Sequence, residues 1–390
     1  MEESVIEMNI GSVEQENRNE QAFYTLLDHM RTLANNARDK GDMFERLMCQ
    51  VLAIASPYSD RFSKVQLYRE WATEHPECVP NARDIGIDLV ATLIESEWQG
   101  PNKEARYSAI QCKFYNNDSS VPKSEVDSFI SASSTKHFAE RLLVATNKGW
   151  SVNAVQTIEL QEKPTTILSL DKIKHLNVDW SQYLQDGTVQ LQAKRKLRDY
   201  QEKAIDHSIV GFKSFDRGQI VMPCGTGKTF TSLKLAERQV GQHGLVLFLV
   251  PSLALLSQTV DDWTQQSSAK MTAIPVCSDE SIRARSNSRA GIASSTSARP
   301  LDPEVNSFAS VLDHHKLSYP ATTNAKSLAE KVVTACARSR KRPDLGMTVV
   351  FSTYQSLSVI HEAQTKYGMT DFDLIISDEA HRTAGAYYRQ

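Results

Sequence analysis

The chain of 390 residues has no Cys-x-x-Cys pair, no marked excess of either charge sign and no apolar run long enough to span a bilayer. Each absence excludes something. The six cysteines (Cys49, Cys78, Cys112, Cys224, Cys277 and Cys336) are scattered, which speaks against a zinc site or a disulfide framework and for a reducing compartment. Lys and Arg (44) nearly balance Asp and Glu (47), leaving a net charge of −3, so no global basic field announces nucleic acid and any such contact has to be local. The polar start, Met1 to Asn19, holds no signal-peptide core. A cytoplasmic protein is expected. The length suits two or three domains, and 41% hydrophobic residues suffice to fill their cores.

Residues 1–20 carry few large apolar side chains and read as a mobile tail. From Phe23 the pattern becomes helical: Phe23, Leu26, Leu27, Met30 and Leu33 recur on one face, and after Gly41 a second run places Phe44, Leu47, Met48, Val51 and Leu52 together. Glu45 sits beside that second face, where a solvated helix glutamate is the plain interpretation. A glycine turn at Gly86 then feeds an alternating strand that begins at Asp88. After a polar hairpin-like stretch, Tyr107 to Tyr115 forms a second strand, on which Gln111 and Lys113 project from the same side. If the two strands pair, Asp88 meets both. A carboxylate, an amide oxygen and a lysine at one point suit a Mg²⁺ and activated-water site, whereas a lone lysine on a strand edge is commonly a guard against aggregation.

The second half turns on Val221-Met222-Pro223-Cys224-Gly225-Thr226-Gly227-Lys228-Thr229, a glycine-bearing loop between a short apolar strand, 219–222, and a helix starting near Gly227. It has the composition of a phosphate cradle. Gly225 and Gly227 let the backbone wrap an oxyanion, and the helix start aims unpaired N–H groups and a positive dipole end at the same point. Lys228 adds a full charge at the β/γ-phosphates and Thr229 a hydroxyl for Mg²⁺. The general pattern asks for a glycine where this chain has Met222, so it is only partly met. Gln201, 27 residues before Lys228, can both donate to and accept from adenine's edge, a physical reason to prefer ATP. Leu245 to Val250 is an unbroken apolar run, as a doubly buried parallel strand requires. The last strand, Leu374 to Ile376, runs into Asp378-Glu379-Ala380-His381, placing carboxylates where parallel sheets hold ligands: Asp378 for the Mg²⁺ of a nucleotide, Glu379 for the attacking water. Residues 176–195 read as a linker, with a basic cluster at Lys194 to Arg198 that is either a phosphate contact or a solvated face. A flexible insertion is expected near 281–300.

Asp88, Gln111-x-Lys113 and the run Ile110 to Tyr115 resemble the Mrr-type branch of the PD-(D/E)xK nucleases, which carries glutamine in place of the second acidic residue. The resemblance covers about Phe23 to Ile173. It implies that Asp88 and Gln111 bind Mg²⁺, that Lys113 positions or activates the attacking water, and that Glu45 completes the metal shell. A nuclease-like fold that only holds DNA is the competing interpretation. Gln201, Gly225 to Thr229, Pro251-Ser252-Leu253, Thr353-Tyr354-Gln355 and Asp378 to His381 resemble the ordered motifs of superfamily 2 helicases and translocases, in which the position of Met222 varies. By that resemblance Pro251, Ser252, Thr353, Tyr354 and Gln355 contact the backbone of double-stranded DNA, and His381 links nucleotide state to the DNA side. The order of the two halves resembles the amino-terminal part of type ISP restriction-modification enzymes and related phage-defence helicases.

The expected architecture is therefore α/β: a restriction-endonuclease-like mixed-sheet domain over 21–175, then a RecA-like P-loop parallel-sheet domain over 196–390. A second RecA-like lobe, methyltransferase and target-recognition domains are the further parts the resemblance implies. The sequence stops nine residues after His381, so it reads as a fragment or an early-ended reading frame. Sustained ATP hydrolysis is then not expected, since the arginine finger of the second lobe is worth roughly 10³ to 10⁵ in rate. A DNA- and nucleotide-holding module without turnover, or a P-loop switch unrelated to DNA, are the alternatives.

Overall fold

The structure is a computed structural model that describes residues 2–34, 36–79, 86–97, 103–115, 120–147, 149–277, 315–342 and 345–379. It divides into two compact units, residues 1–193 and 194–390. No helix among the described residues is long and apolar enough to cross a membrane.

The first unit opens with α1 (Glu2–Leu33), α2 (Ala37–Ile54), the short α3 (Tyr58–Arg61), β1 (Phe62–Leu67) and α4 (Tyr68–Glu74). Next come β2 (Leu89–Leu93), β3 (Tyr107–Lys113), β4 (Ser120–Val121), α5 (Lys123–Ala132), β5 (Phe138–Ala145), β6 (Gly149–Trp150), α6 (Val152–Glu159), β7 (Thr165–Ser169), α7 (Leu170–Lys174) and α8 (Trp180–Asp186). The main sheet has the order β1-β2-β3-β5-β7, antiparallel across β1-β2-β3 and parallel across β3-β5-β7. It is the mixed sheet the sequence predicts. Asn36 starts α2 by accepting from the N–H groups of Arg38 and Asp39, which fills two of the donors a helix start leaves open. Its buried face is Phe44, Leu47, Met48, Val51 and Leu52, the five positions that periodicity selects. They pack with α1 and with Leu89, Ile110, Cys112, Leu142 and Val144 of the sheet.

Two expectations need correction here. The predicted tail is the first half of α1, and from its middle onward it is docked: Asn19 donates to Val178 O (3.0 Å) and accepts from Trp180 N (2.8 Å), while the rings of Phe23 and Trp180 lie 4.9 Å apart. Low apolar content does not stop a helix that is nucleated by Phe23 and its neighbours from extending backwards. The predicted linker likewise belongs to the first unit up to Ala193, because Trp180 is fully buried and Val178 bridges Leu191.

In the second unit, α9 (Asp199–Gly211) and α10 (Lys228–Val240) precede β8 (Leu245–Val250), α11 (Leu253–Gln266) and β9 (Thr272–Val276). After them stand α12 (Ala325–Lys341), β10 (Thr348–Thr353), α13 (Leu357–Tyr367) and β11 (Leu374–Ser377). The sheet is parallel throughout, in the order β11-β8-β10-β9. The unbroken run of β8 is buried along its whole length. Phe248, Trp263 and Phe351 form its aromatic centre, with Trp263 edge-on to both rings.

Residues 219–222 are not a strand in this structure, and Val221 is 84% exposed. An apolar tetrapeptide becomes a strand only when a neighbour takes its N–H and C=O groups, and among the described residues none does. The insertion expected near 281–300 lies outside the described residues. So do Ala380 and His381.

Candidate functional site

In the first unit the pairing of β2 with β3 sets Leu89 opposite Ile110, so Asp88 stands at the strand mouth beside Cys112. Asp88 Oδ2 accepts from the Cys112 N–H at 2.7 Å, and the Asp88 N–H donates to Ile110 O. Gln111 is buried, and its Nε2 donates to Gly86 O at 3.0 Å, which fixes the amide plane. Lys113 Nζ lies 3.3 Å from Glu125 Oε2 on α5. Glu45, half-exposed on α2, comes to the opposite side of β3: burial first, then the charges of Asp88 and Glu45, push the Cys112 thiol well above its ordinary pKa. The structure thus gathers Asp88, Gln111 and Lys113 at one strand mouth, while Glu45 stands on the Cys112 side of β3. Among the described residues no three His, Cys, Asp or Glu side chains cluster as a metal cage.

In the second unit, Gly225 and Gly227 both take left-handed φ values (76° and 82°), the backbone that lets the loop turn into α10. Thr226 Oγ1 donates to Pro223 O, and the Thr226 carbonyl accepts from Gln201 Nε2 (2.9 Å) and from the Tyr200 hydroxyl (3.0 Å). Gln201 Oε1 meanwhile accepts from Arg198 N, so this buried amide ties the start of α9 to the loop. The carbonyl of Thr229 accepts from the Trp263 indole at 3.1 Å, anchoring the first turn of α10 on α11.

Beyond β11, Glu379 adopts φ 51°, an uncommon backbone for a side chain of its size, and its N–H donates to Asp378 Oδ1. That turn sends its carboxylate to Lys228, with Oε1 3.6 Å from Nζ. Loop and strand end therefore meet in one place. Of the residues expected at DNA, Gln355 is exposed and Pro251 and Ser252 are half-exposed. The Ser252 hydroxyl caps α11 by accepting from Leu255 N. Thr353 is buried with its hydroxyl against that of Ser356, and the Tyr354 hydroxyl donates to Asp378 O at 2.7 Å. Burial, then the charges of Asp378 and Glu379, raise the Tyr354 phenol. His381 lies outside the described residues.

Three residues escaped the sequence reading, Glu125, Tyr200 and Trp263 as a clamp on Thr229, and Arg198 was read only as a member of the basic cluster. Only Tyr200 carried a signal, its position next to Gln201. The basic cluster also resolves as fastening, since Lys194 donates to Ser267 O and Arg195 lies 3.7 Å from Asp262.

A carboxylate, amide and lysine on paired strands of a mixed sheet define a restriction-endonuclease-like domain, and the glycine loop with its strand-end carboxylates defines a P-loop nucleotide-binding domain. Residues 53–190 match the family described as "Restriction endonuclease" and residues 194–390 the family described as "Type III restriction enzyme, res subunit". The second match spans half of the chain, which belongs to that family. Among solved structures the chain is similar to the "ATP-dependent Type ISP restriction-modification enzyme LlaBIII bound to DNA", with 34% identity and a TM-score of 0.68, covering 92% of this chain and 20% of that one. Among curated proteins it is similar to "Probable helicase A859L" of African swine fever virus, isolate Tick/South Africa/Pretoriuskop Pr4/1996. The two are 26% identical over 229 residues, 57% of this chain and 21% of the relative. For isolate Pig/Kenya/KEN-50/1950 the identity is 24% over 238 residues, 59% and 22%. The chain spans about a fifth of the length of each of these relatives.

Proposed function

We propose that the chain is a Mg²⁺-dependent DNA endonuclease domain joined to the ATP-binding lobe of a DNA translocase from a restriction system. The observation that carries it is the gathering of Asp88, Gln111 and Lys113 at one strand mouth, in a chain whose second unit sets Lys228 against Glu379 over a phosphate loop.

The donor set suits Mg²⁺, which takes one or two carboxylates, neutral oxygens and substrate phosphate rather than a full protein cage. Asp88 and the amide oxygen of Gln111 would hold it, and Glu45, which stands on the Cys112 side of β3, would have to reach round the strand mouth to serve as the second carboxylate. Bound there, the ion supplies a water of lowered pKa and charge stabilisation at the phosphoryl oxygens. The protein's own part is positional. The Cys112 N–H holds the Asp88 carboxylate, Gly86 O orients Gln111, and Lys113 places its ammonium at the attacking water and the developing phosphate charge.

In the second unit the loop N–H groups receive the phosphates of ATP, and Lys228 leaves Glu379 for them. Thr229 and Asp378 hold the accompanying Mg²⁺, and Glu379 orients the water. Gln201 keeps one amide hydrogen and one lone pair for adenine. Gln355, Pro251 and Ser252 meet the backbone of double-stranded DNA, Thr353 and Tyr354 support them from below, and His381 couples the two. A second RecA-like lobe, methyltransferase and target-recognition domains are partners in the same proposal.

Plasmid nicking with Mg²⁺ tests it. Wild type and Lys228→Ala nick, while Asp88→Ala and Lys113→Ala do not. Nicking that survives Asp88→Ala would overturn the nuclease assignment.

A further inference from the structure

Glu125 has no place in the site as read from sequence, yet its carboxylate lies 3.3 Å from the Lys113 ammonium. The alternation of β3 decides which helix can serve that lysine. Ile110 and Cys112 face the α1 and α2 core, so Gln111 and Lys113 point to the other side of the strand. There α5 forms the wall. A Cβ placed on Gly86 would lie 3.8 Å from Gln111 Nε2 and 4.0 Å from the carbonyl carbon of Ser128, one turn beyond Glu125 on the same helix. Glu45 approaches β3 across Cys112, on the opposite side. The same Glu125 carboxylate stands beside Tyr115, on the Lys113 side of the chain, where burial and then Glu125 raise the phenol.

We infer that Glu125 is a positioning residue of the nuclease site, holding the Lys113 ammonium in one orientation for the attacking water and the scissile phosphate. The inference rests on the nuclease proposal above. Its physical basis is the ammonium on a flexible four-carbon stem: the attraction of the Glu125 carboxylate at 3.3 Å restrains the stem and leaves the ammonium's donors for the reacting groups. A half-exposed ion pair contributes little to fold stability, so its effect is read in the reaction. An acid in the first turn of α5 also complements the helix dipole, which accounts for Glu125 being acidic but not for its pairing with Lys113.

The test combines two measurements on the full chain. In the first, plasmid nicking is followed in a single turnover with Mg²⁺, and duplex affinity is measured with Ca²⁺ in its place. Glu125→Gln is expected to slow cleavage at saturating protein by about 10- to 100-fold, the scale of a misplaced catalytic group, without loss of duplex affinity. Asp127→Asn, on the same helix, leaves both unchanged. The second measurement is lysine acylation read by mass spectrometry without DNA or metal, in which Lys113 reacts slowly relative to exposed Lys213 and gains several-fold in Glu125→Gln.

Unchanged Lys113 reactivity in Glu125→Gln overturns the inference whatever cleavage does, because the pair then does not form. Raised reactivity with wild-type cleavage also overturns it and leaves an incidental ion pair. If wild type does not cut, or Asp88→Ala cuts as well, the nuclease assignment itself fails and the positioning role falls with it, while acylation still reports the pair.

Discussion

The Tyr354 hydroxyl donates to the main-chain carbonyl of Asp378 at 2.7 Å, so the loop that ends β10 is tied to the residue that ends β11. Asp378 in turn is followed by Glu379 in a left-handed backbone conformation, with its carboxylate at Lys228. A residue expected at DNA thus acts on the peptide between the two acidic residues of the nucleotide site. The strand-end loop and that site share one hydrogen bond.

Removing that bond separates two roles for Tyr354. Tyr354→Phe removes the hydroxyl and keeps the ring, which costs about 1 kcal/mol for a part-buried hydrogen bond. It is expected to reduce the gain in ATP affinity that Mg²⁺ brings, because the Asp378 peptide loses its tether. Isothermal titration with and without Mg²⁺ checks this. A full Mg²⁺ gain together with weakened duplex affinity would return Tyr354 to a DNA contact.

The two loop glycines are expected to differ. Both have left-handed φ, where a side chain costs about 1–2 kcal/mol. A Cβ on Gly225 meets nothing within 4 Å, whereas one on Gly227 would lie 2.7 Å from Gln201 Nε2. Gly225→Ala therefore pays only for its backbone, and Gly227→Ala must also expel Gln201 from the Thr226 carbonyl. Urea midpoints should fall further for Gly227→Ala, which alone releases the clamp on the loop. Equal midpoints would mean that Gln201 moves aside freely.

What the sequence could reveal follows the range of the interactions involved. The core face of α2 and the buried run of β8 are local patterns, set by period and burial, and both are found where they were expected. That Lys228 and Glu379 serve one nucleotide site was also an expectation, since parallel sheets hold ligands at their strand ends, but the ion pair between them was not. By contrast β1 is a short strand with exposed Ser63 and Lys64, which carries no clear alternation. Trp180 is buried by Phe23, far away in sequence, so residues around it looked like a connector. Glu125 was invisible for the same reason. Its pairing with Lys113 exists only after α5 folds back along β3.

Lys163 gives the first unit a pH dependence of known sign. Its ammonium donates to Ser133 O (2.9 Å) and Thr135 O (2.8 Å), and burial, then the charge of Arg141, lower its pKa from 10.5 to about 8. In the window between those values the unfolded chain holds a proton that the native chain has released. Stability from this group therefore rises with pH across the window and is flat below it. Urea midpoints measured through the window should show that rise in wild type, and the difference from Lys163→Met isolates it from tyrosines and cysteines titrating nearby. A wild-type slope that persists in Lys163→Met would assign the effect elsewhere.

The pair between Lys228 and Glu379 makes opposite predictions for its two partners. An ammonium that meets phosphate forms a charge-assisted contact of about 1.5–3 kcal/mol, so Lys228→Ala is expected to weaken ATP binding by roughly 10- to 100-fold. Glu379 competes for the same ammonium before nucleotide arrives. The pair is part-exposed, with Lys228 at 37% and Glu379 at 25%, which places its worth at the roughly 0.2–1 kcal/mol of surface pairs. Glu379→Gln releases Lys228 and should tighten ATP binding by up to about fivefold, the same energy read as affinity. Added salt screens the pair in wild type and narrows the gap between the two proteins. Titration with a fluorescent ATP analogue at several salt concentrations measures all three. General damage to the site would weaken binding in both variants, so an increase in affinity for Glu379→Gln alone marks competition, and a decrease shows that Glu379 supports the nucleotide rather than withholding Lys228 from it.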